Sequence, residues 1–132
     1  MSDIIEWVLE MAINPGQMPN VQPLLDEMVA ATRADEPGAL HYEYYMNADQ
    51  SRCTVLERYA DNAAVMVHLG NFGAKFAPRF LAAFSPVRFT VYGPADGSVR
   101  AALAGFGATH EDMIAGFHRQ EWSARQAGQK SN

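Results

Sequence analysis

The chain has 132 residues, 48% of them hydrophobic and 19% charged, which is enough to bury one core and too apolar for a disordered segment. Ten Lys and Arg stand against fifteen Asp and Glu, a formal net charge of -5 with no basic stripe, which speaks against a nucleic-acid partner. No apolar run reaches membrane-spanning length, Met1-Ser2-Asp3 gives no basic start to a leader, and the single Cys53 suits a reducing compartment, so no membrane partner and a cytoplasmic location are expected.

Ile5, Trp7, Leu9, Met11 and Ile13 alternate with Glu6, Val8, Glu10 and Ala12, the period of a strand over residues 4–13. Asn14-Pro15-Gly16 ends it. Val21, Leu24, Leu25, Met28, Val29 and Thr32 then recur at helical spacing, with Pro19 and Pro23 expected near the first turn. After the turn Glu36-Pro37-Gly38 a second strand covers 39–46, with Leu40, Tyr42 and Tyr44 on one face. A polar hairpin at 47–51 leads to a third strand at 52–59. Asp61 is placed to cap the next helix, which Gly70 and Gly73 should break around Asn71, with a new helical segment from about Ala77 because of Pro78. A fourth strand runs from 86 to 92 and points Val87, Phe89 and Val91 to one side. Gly93-Pro94-Ala95-Asp96-Gly97 turns the chain into a short helix carrying Val99, Leu103 and Phe106, closed by Gly107. A weak strand or arm over 108–117 and a polar tail from Arg119 complete the chain.

The resulting order β-α-β-β-α-β is the split βαβ arrangement, an α+β ferredoxin-like fold with an antiparallel sheet. Two units are expected: a ferredoxin-like domain at 1–93, and an extension at 94–132 that packs on that domain or on a partner subunit. Trp7, Leu9, Tyr42, Tyr44, Phe89 and Val91 would fill one sheet face, yet the other row still carries Val8, Tyr45, Tyr59 or Tyr92. Both faces call for cover, and a second copy supplies it most economically, so a homodimer is expected.

One block carries a family signature. Pro37-Gly38 precedes the Tyr42-Glu43 strand, Glu57-Arg58-Tyr59 ends the next strand, and Asn62-Ala63-Ala64-Val65-Met66-Val67-His68 opens the following helix. This succession resembles the antibiotic biosynthesis monooxygenase family, small proteins with a dimeric α/β barrel. The resemblance implies oxidation of hydroxylated polycyclic aromatics by dioxygen with no metal, haem or flavin. It also admits a haem-binding or haem-degrading member acting through His68, although Trp7 and Asn71 do not map onto the positions those members use.

Which residues could carry such chemistry? His68 sits on the helix face that meets the sheet, where it is either a proton carrier or a core histidine bonded to a carbonyl or to Glu57. Trp7, Tyr42, Tyr44, Phe72, Phe76 and Phe80, with Tyr59 and Phe89, either line a flat apolar pocket for a small aromatic molecule or simply fill the core. Oxidation of a phenol needs its anion, and His68 or Arg88 could stabilise that charge; Arg88 is equally readable as an exposed strand residue paired with Glu57. His41, His110 and His118 lack metal-ligand spacing, Gly105-Phe106-Gly107 lacks the context of a dinucleotide loop, and Cys53 has no neighbouring base. Two functional classes follow: a cofactor-independent monooxygenase, and a non-catalytic small-molecule-binding or stress-related protein of the same fold.

Overall fold

Strand alternation decides the layering. In the computed structural model, which describes residues 2–119, β1 (Ile5–Ile13) buries Ile5, Trp7, Leu9 and Met11 on one face and leaves Glu6, Val8 and Glu10 half-exposed on the other. Being the most apolar strand, β1 takes the sheet centre. It pairs antiparallel with β3 (Arg52–Tyr59) on one side and β4 (Phe84–Tyr92) on the other, and β2 (Ala39–Met46) completes the antiparallel set beyond β3. A short β5 (Thr109–Glu111) adds to β4 in parallel, giving the order β2-β3-β1-β4-β5. This is the ferredoxin-like α+β fold, and within one chain the sheet stays open.

Helices α1 (Met18–Asp35), α2 (Asn62–Lys75) and α3 (Ala77–Ala83) accompany the sheet, followed by α4 (Gly97–Leu103) and a 3-10 turn at Ala104–Phe106. Helix α1 starts earlier than its apolar periodicity indicates, so Pro23 lies inside it, one turn beyond Pro19. The break expected at Asn71 does not occur: α2 runs on to Lys75. At Gly70 and Gly73 nothing lies within 4 Å of where a Cβ would sit, so both face open space and weaken the helix only through propensity. The chain breaks at Phe76, with φ -127, and restarts at Ala77 as expected, because Pro78 in the first turn of α3 forbids a continuous helix.

Two bulges shift the expected strand faces. Against β1, the register of β4 slips between the pairs Glu10↔Arg88 and Met11↔Pro86, so Val87 is the extra residue and is 50% exposed while Phe89 and Val91 are buried. On β2 the slip falls between Ala39 and His41 and turns Leu40 out, 54% exposed. Tyr59, expected on the outer row with Val8, is instead fully buried on the inner one, in phase with Val55 and Glu57.

The segment after Gly93 packs on the same core. Val99 and Leu103 are buried in it, and β5 ties the segment to β4. Gly93 has φ +108, and a Cβ there would run into the Ile4 carbonyl oxygen, so the sharp turn that sends the chain back over the helices requires glycine. The polar tail expected from Arg119 onward lies, past that residue, outside the described residues.

Candidate functional site

Three local features converge on one point between α1, α2 and the sheet. Asp61, in extended conformation, accepts the Ala64 amide at 2.8 Å and fixes the start of α2. A Cβ on Gly38 would come within 2.6 Å of the Ala64 Cβ, so the Pro37-Gly38 turn lets α2 approach closely. Helix α2 thereby delivers His68 to the core, 6% exposed. Helix α1 ends at Glu36, whose amide bonds the Thr32 carbonyl and whose carboxylate turns inward. Strand β3 presents Glu57 on its buried row between Val55 and Tyr59.

The three groups form a buried chain of charge. The Nδ1 of His68 lies 2.9 Å from Glu36 Oε1 and its Nε2 3.2 Å from Glu57 Oε1. Glu57 also accepts the Trp7 indole N–H at 2.5 Å and the Tyr59 hydroxyl at 2.5 Å, while Asn71 donates to Glu36 at 3.3 Å. Two carboxylates with one imidazole satisfy each other almost completely, which is the condition for keeping charge out of water. Burial alone would push the His68 pKa down. The hydrogen bonds and charges of Glu36 and Glu57 outweigh it and lift the imidazole to about 9, so it is a cation at neutral pH. Glu36 is held below the usual carboxylate range: burial opposes this, but bonding and charge from His68, with help from Asn71 and Lys75, prevail.

Beside this chain lies a cavity of about 40 Å³. Its polar lining residues are Glu57, His68, Tyr42 and Tyr44, the two tyrosine hydroxyls lying 2.7 Å apart. Its walls are Trp7, Leu9, Met28, Leu69, Phe72, Phe80, Phe89, Leu103 and Phe106. Burial, then the nearby Glu57 charge, raises the Tyr42 hydroxyl far above its ordinary range, and burial does the same for Tyr44 and Tyr59. These phenols stay protonated and can orient a ligand but not act as bases.

Most of the residues singled out in the sequence meet here. His68, Trp7, Tyr42, Tyr44, Phe72 and Phe80 line the cavity. Phe76 lies in a second, smaller cleft with Glu36, Asn71 and Lys75. Arg88 is exposed on the outer face of the sheet, opposite Glu10, on the far side from both Glu57 and the cavity. The sequence offers Glu57 as the partner of a core His68, and it lies there at 3.2 Å; the carboxylate the sequence reading missed is Glu36. Glu57 left a signal, a charge on the buried phase of an otherwise apolar strand; Glu36 left none, because a helix cap is as often solvated as buried. Burial pushes the Cys53 thiol up to about 11, which leaves it unreactive.

Haem does not fit this arrangement. Both His68 nitrogens are engaged by carboxylates, and the cavity is far smaller than a porphyrin. Among the described residues no group of three or more His, Cys, Asp or Glu is arranged to hold a metal ion.

Comparison with known proteins agrees with this fold. A sequence model described as antibiotic biosynthesis monooxygenase matches residues 4–84. Among solved structures, MupZ from Pseudomonas fluorescens superposes with a TM-score of 0.77 at 22% identity, covering 93% of this chain and 100% of its own. Rv0793 from Mycobacterium tuberculosis gives 0.55 at 27% identity over 72% of this chain and 98% of its own, and PA3566 from Pseudomonas aeruginosa 0.56 at 22% over 69% and 91%. The MupZ match spans enough of the chain to include most of the segment after Gly93. No curated protein matches the sequence.

Proposed function

We propose that this chain, which belongs to the antibiotic biosynthesis monooxygenase family, binds a small hydroxylated aromatic beside His68 and oxidises it with dioxygen without a resident cofactor. The observation that carries this reading is an aromatic-walled cavity with a charged Glu57–His68–Glu36 chain at one end. A ligand hydroxyl that approaches Glu57 competes with the longest of its three donors, His68 Nε2–H at 3.2 Å. Glu57 then takes the ligand proton, and the released imidazolium N–H faces the new oxyanion. Glu36 keeps His68 charged and oriented throughout. The aromatic walls exclude water, so the anion remains electron-rich. A ring methylene activated in this way becomes a carbonyl: one oxygen atom of dioxygen stays on carbon and the other leaves as water with the two methylene hydrogens. The substrate supplies all the electrons, and no external reductant is needed.

The test is oxygen uptake with a panel of anthrone-type and quinol substrates and no added cofactor. The wild type consumes oxygen, and Glu57→Gln and His68→Ala lose on the order of 10–100-fold. Variants that match the wild type on every active substrate overturn the assignment of these residues.

A second reading has its own support. Every hydrogen-bonding atom of Glu57 and His68 is already satisfied within the chain, which suits a rigid binding protein as well as an enzyme. Aromatic binding without oxygen uptake selects this reading.

Proteins of this family generally form dimers, and the outer sheet face supports the same assembly here. Val8 and Leu56 lie half-exposed on it, and Tyr45 and Tyr92 are 53% and 37% exposed. Sedimentation at micromolar concentration is expected to give twice the monomer mass; a single monomeric species rejects the homodimer.

A further inference from the structure

We propose that Phe106, on the 3-10 turn after α4, is the gate of the cavity and sets the size of ligand it admits. The inference rests on the reading of this cavity as a ligand site, but not on any reaction taking place there. A cavity of about 40 Å³ holds roughly three waters, whereas a dry cavity of about 150 Å³ is needed for benzene. A wall must therefore give way for an aromatic ring to seat fully, and the walls differ in how they are held. The sheet side is fixed by the β-ladder, and its polar end by the Glu57–His68 bonds. Phe80 and Leu103 are 4% and 1% exposed and sit deep in the core.

Phe106 is held differently. It is partly exposed and lies between Gly105 and Gly107, where nothing stands within 4 Å of an added Cβ. Gly107 adopts φ +76, a conformation glycine enters freely. The turn's own backbone bond runs from the Gly107 amide to the Ala104 carbonyl. Its anchors lie outside it: Asn62 on the Asp96 amide before α4, and β5 on β4 after it. Phe106 lines the cavity and makes ring contacts with Phe72 and Phe89, at centroid separations of 6.2 and 6.5 Å. A partly exposed aromatic ring on a glycine-flanked single turn is the wall that yields most easily.

The measurement uses two unreacted probes under anaerobic conditions, 1-naphthol with two fused rings and anthrone with three. Phe106→Ala is expected to bind anthrone about tenfold more tightly than the wild type and to associate faster in stopped flow, with a smaller change for 1-naphthol. Phe106→Leu should fall between them. Leu81→Ala, 48% exposed on α3, is the control and leaves both probes unchanged. The gate is overturned if folded Phe106→Ala binds both probes with wild-type rates and affinities, if Phe72→Ala alone produces the effect, or if neither wild type nor Phe106→Ala binds either probe. Tighter anthrone binding by Phe106→Ala with no oxygen uptake in air leaves the gate standing and rejects the oxygenase reading instead.

Discussion

The two faces of the sheet handle charge in opposite ways. On the inner face Glu57, His68 and Glu36 sit among aromatic rings, each carboxylate bonded to the imidazole and to further donors. On the outer face Glu6 and Arg58 form a 2.6 Å pair with side chains 41% and 34% exposed, and Arg88 stands in water. Residues one step apart on the same strand, Glu57 and Arg58, thus live in different dielectrics. The difference teaches where a charge matters: inside, each partner is indispensable to the others, whereas outside, solvent substitutes for a missing partner.

Removing one member of the inner chain should have the largest effect. Glu57→Ala strands the imidazolium with one partner and leaves the Trp7 and Tyr59 donors unpaired, and is expected to destabilise the fold by about 3–5 kcal/mol in urea. Arg58→Ala on the other side of the same strand should cost less than about 1 kcal/mol. Equal losses would mean that the two faces are not distinguished by burial.

Titration sharpens the same contrast. The folded His68 pKa of about 9 lies above its ordinary 6.5, so the stability it contributes is complete below about pH 6.5 and is lost as pH rises through 9. The whole span corresponds to about 3 kcal/mol. Glu36 acts in the other direction: its pKa is depressed, so its contribution is present above the ordinary carboxylate range and fades in acid. Thermal unfolding followed from pH 6 to 10 should therefore show a falling limb that His68→Gln abolishes. A limb unchanged in that variant would assign it to another group.

An effect of intermediate size is expected at the outer face. Leu56→Arg places a charge at its centre and should shift sedimentation towards monomer while the monomer stays folded, because Leu56 is already half-exposed in a single chain. A variant that stays dimeric places the interface elsewhere.

Much of this was legible in the sequence, and what was not has physical causes. Alternation in residues 5–13 fixed the central strand and its buried row, and the 39–46 and 52–59 strands fall where turn residues bound them. Val87 and Leu40 were misplaced because a bulge inserts one residue without any change in composition. The restart at Ala77 was readable from Pro78, which forbids a continuous helix sterically, whereas the break expected around Asn71 does not occur because Gly70 and Gly73 only loosen a helix. At the site, His68 and the aromatic rows were readable from periodicity. Glu36 was not, since only the end of α1 meeting the middle of α2 in space makes it a partner.

The smallest effect is predicted for Arg88, and it is the most exacting test of the two-face picture. Spacing alone allows Arg88 a role in stabilising a ligand anion. The register puts it opposite Glu10, while its neighbours Phe89 and Val91 take the inner row. A backbone sheet and its row of buried side chains therefore separate its guanidinium from the cavity, and water screens what charge remains. Arg88→Ala should leave 1-naphthol affinity within about twofold of wild type, where each 1.4 kcal/mol would shift it tenfold. A loss of tenfold or more would show that Arg88 reaches a ligand after all.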